Sequence, residues 1–194
     1  EVACTTNETV FELGQLESGQ TFLVHAGASG VGTTAVQMAK SVGARVLFTV
    51  GTDQKIEMVK RIGGDFGINY QNQDFVAESI NLLGEAAIDL IQDLVGGDYL
   101  TRNLELLSPA GRLVLVGALR GETGELSIGL MLKKRLKVYG FTLRAQKLED
   151  KRGIVSRVEQ RWLPKYMDGT IDPVIHCVMP FREVRQAHQL MDNN

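Results

Sequence analysis

Residue types that do acid, base, nucleophilic or metal chemistry are sparse and scattered in this chain. His25, His176 and His188, with Cys4 and Cys177, have no spacing that closes a zinc site. No side chain stands out as a general acid or nucleophile, so no catalytic residue and no metal ligand is assigned. The run with chemical content is His25 to Gly32, reading HAGASGVG. It joins an apolar strand pattern directly to a helical one, and such a junction offers backbone amides and the positive end of a helix to an anion. Gly27 suits a tight turn, Ser29 is small enough for phosphates to come close, and Gly32 lets the helix pack closely on its strand. The resulting GxSxxG is one step from the GxGxxG fingerprint of dinucleotide sites. A dinucleotide would carry hydride transfer, which needs a held nicotinamide and a held acceptor more than a protein acid.

The elements that must position this turn follow from the spacing of apolar residues. A helix over Cys4 to Leu16 leads into a first strand, Thr21 to Val24. After the glycine turn, Val31, Ala35, Met38, Ala39 and Val42 repeat at helical spacing, and Gly43 stops them. A strand over 45–50 and a helix over 54–62 follow, then a strand over 66–69 and a helix over 74–83. Next come a strand over 87–92, a helix over 99–107 ended by Pro109 to Gly111, and a strand over 112–116. Crossovers of this length between strands predict an α/β fold: a Rossmann-type, doubly wound parallel sheet in three layers. Residues 117–129 read as a loop, 130–133 as a short helix and 136–141 as a sixth strand. A helix over 149–167, interrupted near Pro164, a strand over 174–178 and a helix over 181–191 complete the pattern.

The 194 residues make one well-filled domain, and no repeat or low-complexity linker divides them. A balance of 21 basic against 23 acidic side chains, net charge -2, gives no field favouring nucleic acid or an anionic bilayer. Any phosphate site must therefore be local. No apolar run is long enough to span a membrane, and two distant cysteines fit a reducing, cytoplasmic setting. Beginning at Glu1 with no initiator Met, the chain reads as the interior of a longer polypeptide.

The end of the second strand decides between cofactors. NAD sites place a carboxylate there for the ribose hydroxyls, whereas Gly51 stands at that point here. Glycine removes repulsion toward a 2'-phosphate and opens space, so the sequence leans to NADP. Asp53, 21 residues beyond Gly32, can be read as the acidic residue that follows the fingerprint, but Thr52-Asp53 is a turn leaving the sheet and the preferred reading is the N-cap of a helix from Gln54. Lys55 can offer an ammonium to the phosphate, and Tyr70 can reach the same end of the adenosine. Gly96 and Gly97 follow the fourth strand, and Gly117 and Ala118 the fifth; each pair is read either as a close approach to the nicotinamide or as ordinary turn formers. His25 reads as a support of the glycine turn through a hydrogen bond. Tyr99, Arg144 and Lys151 are polar candidates whose aim the sequence leaves open.

Taken together, HAGASGVGTTAVQMAKSVGARVLFTVGTDQK, INYQNQDF, DLVGGDYLTRNLELLSPAGRLVLVGALRG, LMLKKRLKVYGFTLRA and VIHCVMPFREVRQAHQLM resemble the coenzyme domain of the medium-chain dehydrogenase/reductase superfamily, in its zinc-independent quinone oxidoreductase branch. The resemblance covers nearly the whole chain. It implies a pyrophosphate loop of Gly27, Ala28, Ser29, Gly30, Val31 and Gly32, and an NADP phosphate pocket of Gly51, Lys55 and Tyr70. It also implies nicotinamide-bordering segments at Val95 and Gly96 to Gly97, and at Gly117, Ala118 and Leu119. Thr6 resembles a threonine that approaches the nicotinamide, although CTTNET departs from the commoner GLTA form. The resemblance further implies a GroES-like domain, absent from this chain, that forms the other wall of the substrate cleft. The expected parent is an NADPH-dependent reductase of a quinone or activated enone, without a metal; the fragment alone is expected to be poorly active or inactive. Alternatives are the enoyl reductase module of a polyketide or fatty-acid synthase, and a non-catalytic NADP-binding protein. A homodimer through the strand at 136–141, with Leu136, Val138 and Gly140 in it, is the expected assembly.

Overall fold

The computed structural model of the chain describes residues 1–192. Helix α1 (Val2–Thr6) runs on into a π-helical turn, Asn7–Glu12. There follow β1 (Thr21–Val24), α2 (Gly30–Ser41), β2 (Arg45–Val50), α3 (Asp53–Arg61), β3 (Phe66–Asn69), α4 (Phe75–Leu83), β4 (Ile88–Asp93) and α5 (Tyr99–Leu106). The chain then forms β5 (Leu107–Leu115), α6 (Ile128–Lys134), β6 (Lys137–Gly140), α7 (Leu148–Arg161) and α8 (Leu163–Met167). A short 3-10 turn, Phe181–Glu183, leads into α9 (Val184–Asp192). Among the described residues no helix is long and apolar enough to cross a membrane.

All six strands pair in parallel, in the order β3-β2-β1-β4-β5-β6. The order reverses between β1 and β4, which is where open α/β sheets leave a crevice beyond their strand ends. Successive strand residues face opposite sides of a sheet, so the unbroken apolar run of β1 is buried on both. Phe22, Val24, Phe48 and Val114 pack with Val36 and Met38 of α2 and with Trp162. Leu23, Leu47, Ile91 and Leu113 pack with Phe75, Tyr99 and Leu104 on the other face. The doubly wound, three-layer reading is thus the observed fold.

Four local expectations are corrected. No strand forms over 174–178: the segment meets no partner strand, and Ile175 and Val178 stand 68% and 88% exposed. An apolar alternation becomes a strand only where a ladder can satisfy its backbone. Leu136 precedes β6 rather than lying in it, and is buried beneath it. β5 starts five residues earlier than expected, at Leu107, because Leu107 pairs with Ile88 ahead of a register shift. Finally, Thr52 caps α3 through its Oγ1, which accepts the Lys55 N–H at 3.3 Å, while Asp53 is the first helical residue.

The break after α7 has a cause in packing. Trp162 is fully buried and donates its indole N–H to Asn7 Oδ1 at 2.7 Å. Asn7 in turn donates to Glu8 Oε1 at 2.9 Å, the oxygen that also accepts from Arg157 at 2.9 Å. These bonds fasten the π-helical turn under α7 and α8. Trp162→Phe keeps most of the ring but leaves Asn7 Oδ1 without its buried donor. It is expected to lower the unfolding free energy by about 2 kcal/mol, read as a lower urea midpoint at unchanged slope; an unchanged midpoint would remove the indole bond from the account.

Candidate functional site

Ser29 stops the turn and starts α2. Its backbone is extended, and its Oγ accepts the Gly32 N–H at 3.1 Å. The Gly27 N–H donates to the Thr49 carbonyl at 2.9 Å, so the turn hangs on the end of β2. Space is tight on both sides of it. A methyl group at Gly32 would stand 2.3 Å from the Ala26 carbonyl oxygen, and one at Gly27 would stand 2.8 Å from Phe48 Cβ. With Gly32 and Thr33 satisfied by Ser29, the amides of Gly30 and Val31 are the helix-start donors that have no intrahelical acceptor.

Behind the turn lies a buried polar chain that joins three strands and a helix. His25 Nε2 and Asn103 Oδ1 are 2.8 Å apart, and His25 Nδ1 and Thr49 Oγ1 are 3.0 Å apart. Asn103 Nδ2 donates to Asp93 Oδ2 at 3.0 Å, so its Oδ1 is the acceptor and His25 carries its proton on Nε2. Thr49 then donates to Nδ1. Burial holds the His25 imidazole below its ordinary pKa, against the pull of the Asp93 charge and the Asn103 bond. His25 thus supports the turn by hydrogen bonding, as its place in the sequence suggests, and it does so from the sheet. Nothing in the sequence singles out its partners Asp93 and Asn103. Both sit inside apolar-looking patterns, where only tertiary contact reveals a role.

Asp93 also organises the next loop, since its Oδ1 accepts the Val95 N–H at 2.7 Å and the Gly96 N–H at 3.1 Å. The loop after β5 docks on it: the Arg120 N–H donates to Val95 O at 2.8 Å and the Gly97 N–H to Gly121 O at 3.1 Å. Gly96 and Gly97 adopt φ of 68° and 59°, and side chains there would meet Gly121 O at 2.9 Å and Arg120 O at 3.1 Å. Both glycines are buried under this contact. The two loops are therefore fastened to each other, and Gly96 and Gly97 form turns at their contact.

A cavity of about 500 Å³ opens beyond these strand ends. Of the residues singled out from sequence, Ala28, Ser29, Gly51, Lys55, Tyr70, Val95 and Leu119 line it together. Gly27, Gly30, Val31, Gly32, Gly96, Gly117 and Ala118 do not line it; Gly27, Gly32 and Gly96 are buried in the turns that shape it. Ala26, Gln71, Tyr99 and Arg120 line it as well, and of these only Tyr99 is a candidate from sequence. Tyr99 stacks on Phe75 with centroids 4.6 Å apart, and burial raises its hydroxyl pKa against the pull of Arg120 and Arg102. Gly51 has a steric reason to be glycine: a methyl there would stand 3.0 Å from the Tyr70 hydroxyl. Asp53 is turned to β3, where its Oδ1 accepts from Asn69 Nδ2 at 2.7 Å. Thr6 is fully buried, its hydroxyl has no hydrogen-bond partner among the described residues, and it does not line the cavity. Arg144 and Lys151 lie elsewhere, around a separate cavity with Cys4. Among the described residues no three His, Cys, Asp or Glu side chains gather as a metal site.

The depressed imidazole makes a pH prediction. His25 is neutral when folded and takes a proton readily when unfolded, so its contribution is present above its unfolded pKa, near 6.5, and is lost as pH falls through that value. Unfolding free energy measured in urea is expected to decline from about pH 7.5 to about 5.5, and His25→Gln to flatten that decline. An equal slope in the variant would assign the pH dependence to other groups.

The family model described as zinc-binding dehydrogenase matches residues 30–160. Human quinone oxidoreductase is 29% identical over 175 residues, covering 90% of this chain and 51% of that protein. A phenolphthiocerol/phthiocerol polyketide synthase from Mycobacterium tuberculosis is 33% identical over 113 residues, 58% of this chain and 5% of that one. The crystal structure of Escherichia coli quinone oxidoreductase complexed with NADPH superposes with a TM-score of 0.84 at 25% identity, covering 99% of this chain and 59% of that chain. The chain thus spans about half the length of the quinone oxidoreductases it matches and a small part of the synthase. Domain match, strand order and glycine turn agree, and the chain belongs to the zinc-binding dehydrogenase family, within the medium-chain dehydrogenase/reductase superfamily.

Proposed function

We propose that this chain binds NADPH, and that the protein it represents delivers the hydride of that cofactor to a quinone or an activated enone. The observation that carries the reading is the cavity that runs from the start of α2 to the end of β2, with a lysine and no carboxylate among the described residues of its wall. The backbone of Ala28, Ser29, Gly30 and Val31 would take the pyrophosphate, with Gly27 and Gly32 giving the turn its shape. Gly51, Lys55 and Tyr70 would take the 2'-phosphate: the absent side chain at Gly51 leaves the Tyr70 hydroxyl in place, and Asp53, engaged by Asn69 through Oδ1, does not line the cavity. Val95 and Gly96, with Gly117, Ala118 and Leu119, would border the nicotinamide, on the paired loops that Asp93 holds.

When bound, NADPH supplies the hydride; the chain's own part is to hold the cofactor against the sheet edge and keep one wall of the cleft dry. The reading assigns no metal and no protein acid. It places the substrate's other wall in a GroES-like domain of the same polypeptide, and pairs two copies through the exposed edge of β6. The likeness to quinone oxidoreductases supports the acceptor class. The likeness to the mycobacterial synthase supports a second reading, an enoyl reductase module acting on a carrier-bound acyl enone. Turnover of a soluble quinone or of an acyl thioester enone by the protein with both domains separates the two, and turnover of neither would favour a non-catalytic NADP-binding protein.

Titration calorimetry of the chain with NADPH and NADH is expected to show a clear preference for NADPH; preference for NADH would overturn the phosphate assignment. Lys55→Ala is expected to weaken NADPH roughly tenfold and NADH far less, whereas equal losses would remove Lys55 from that pocket. Gly32→Val should abolish binding of both cofactors by pushing α2 off the turn, and a folded variant of unchanged affinity would refute the packing role.

A further inference from the structure

Arg120 lines the cavity but is not among the residues that the sequence singles out. It lies in the loop after β5, yet it lines the same 500 Å³ cavity as Gly51 after β2, Lys55 in the first turn of α3 and Tyr70 after β3. Its position is built, not incidental. The backbone N–H is fixed to Val95 O at 2.8 Å, the neighbouring Gly121 bridges Gly96, and Gly96 and Gly97 are buried glycines because larger residues would lift this loop away. From there the guanidinium carbon sits 5.6 Å from the centre of the Tyr99 ring.

The surroundings say what it can bind. Among the described residues no carboxylate lies within ion-pair distance of Arg120. Asp74, the one acid around the adjoining cavity that Arg120 also lines, is taken by Arg102 at 2.6 Å. Among the described residues that line the cavity, Lys55 and Arg120 carry positive charge and none is acidic. Tyr99 and Tyr70 line that adjoining cavity together with Arg120, and the Tyr70 hydroxyl lies beside Gly51, 3.0 Å from where a methyl group there would stand. These contacts connect Arg120 through Tyr99 and Tyr70 to the Gly51 end of the cavity.

We propose that Arg120 is a specificity-determining residue for NADPH, reaching across Tyr99 to pair with the 2'-phosphate of the adenosine opposite Lys55. This rests on the reading that the cavity takes a dinucleotide. A guanidinium can meet a phosphate with two parallel N–H donors, which a lysine on the opposite wall cannot. In this arrangement the loop that borders the nicotinamide also senses the phosphate at the other end of the cofactor. NADPH would thereby order the β4 and β5 loops more firmly than NADH.

The test is calorimetric titration of the 194-residue chain, as wild type, Arg120→Ala and Arg120→Lys, with NADPH, NADH, 2',5'-ADP and 5'-AMP. Arg120 is exposed, and matching thermal melts of the three proteins check that the fold is intact. Arg120→Ala is expected to weaken NADPH and 2',5'-ADP by roughly tenfold or more while NADH and 5'-AMP change less than about twofold; Arg120→Lys should fall between, because a point charge replaces the fork. Equal weakening of NADH would overturn the proposal by assigning the guanidinium to the pyrophosphate or the adenine face. Unchanged NADPH affinity in Arg120→Ala, with the wild type preferring NADPH, would overturn it while leaving the cofactor reading in place. A wild type that binds neither dinucleotide, or binds both equally, would instead overturn the cofactor reading and this inference with it.

Discussion

The arrangement around the cavity depends on one buried polar chain, Thr49–His25–Asn103–Asp93, placed where the strand order reverses. A chain of this kind is stabilising only when every member has a partner, since an unpaired polar group in a low-dielectric interior costs more than a made bond contributes. Each link here is a donor meeting an acceptor, and together they join β1, β2, β4 and α5. Asp93 directs its remaining oxygen to the amides of Val95 and Gly96. The same carboxylate that completes the interior network thus sets the loop at the cavity mouth.

Packing transmits this order outward. His25 makes edge contacts with Phe75 and Tyr99, which stack on each other, and Arg102 lies 4.2 Å over the Phe75 ring while pairing with Asp74. The aromatic cluster fixes Tyr99, and Tyr99 forms part of the cavity wall on which Arg120 rests. On the opposite face, Trp162 ties the helices after β6 to the start of the chain. The strand ends that face the cavity are consequently packed from both layers, the support that the proposed site would need to hold a flexible dinucleotide.

The apolar segment over 174–178 and α9 behave differently. Phe181 is 91% exposed and Met191 78% exposed, and the helix contributes no buried residue. Their sequence pattern is that of structured elements, but among the described residues most of their apolar side chains are left largely uncovered. Burial depends on what comes near, and an amphipathic pattern specifies only which side is ready to be buried.

From the sequence by itself one can read the alternation of strands and helices, hence a doubly wound parallel sheet, and the turn at Gly27 to Gly32. Both depend on neighbours a few residues apart: apolar periodicity, and glycines that a tight strand-to-helix turn demands. Gly51 is legible as a missing carboxylate. Its second reason, room for the Tyr70 hydroxyl, is not, because the two residues meet across parallel strands. Likewise Gly96 and Gly97 can be seen as turn residues, but only the docking of the β5 loop explains why nothing larger fits. Thr52 displaces Asp53 as the helix cap, and Asp53 turns to Asn69, a choice made by β3 lying alongside. Asp93, Asn103 and Arg120 acquire their meaning solely from residues distant in the chain. Local patterns decide which elements form; long-range contact decides which polar side chains they bring face to face, and that second decision made the site.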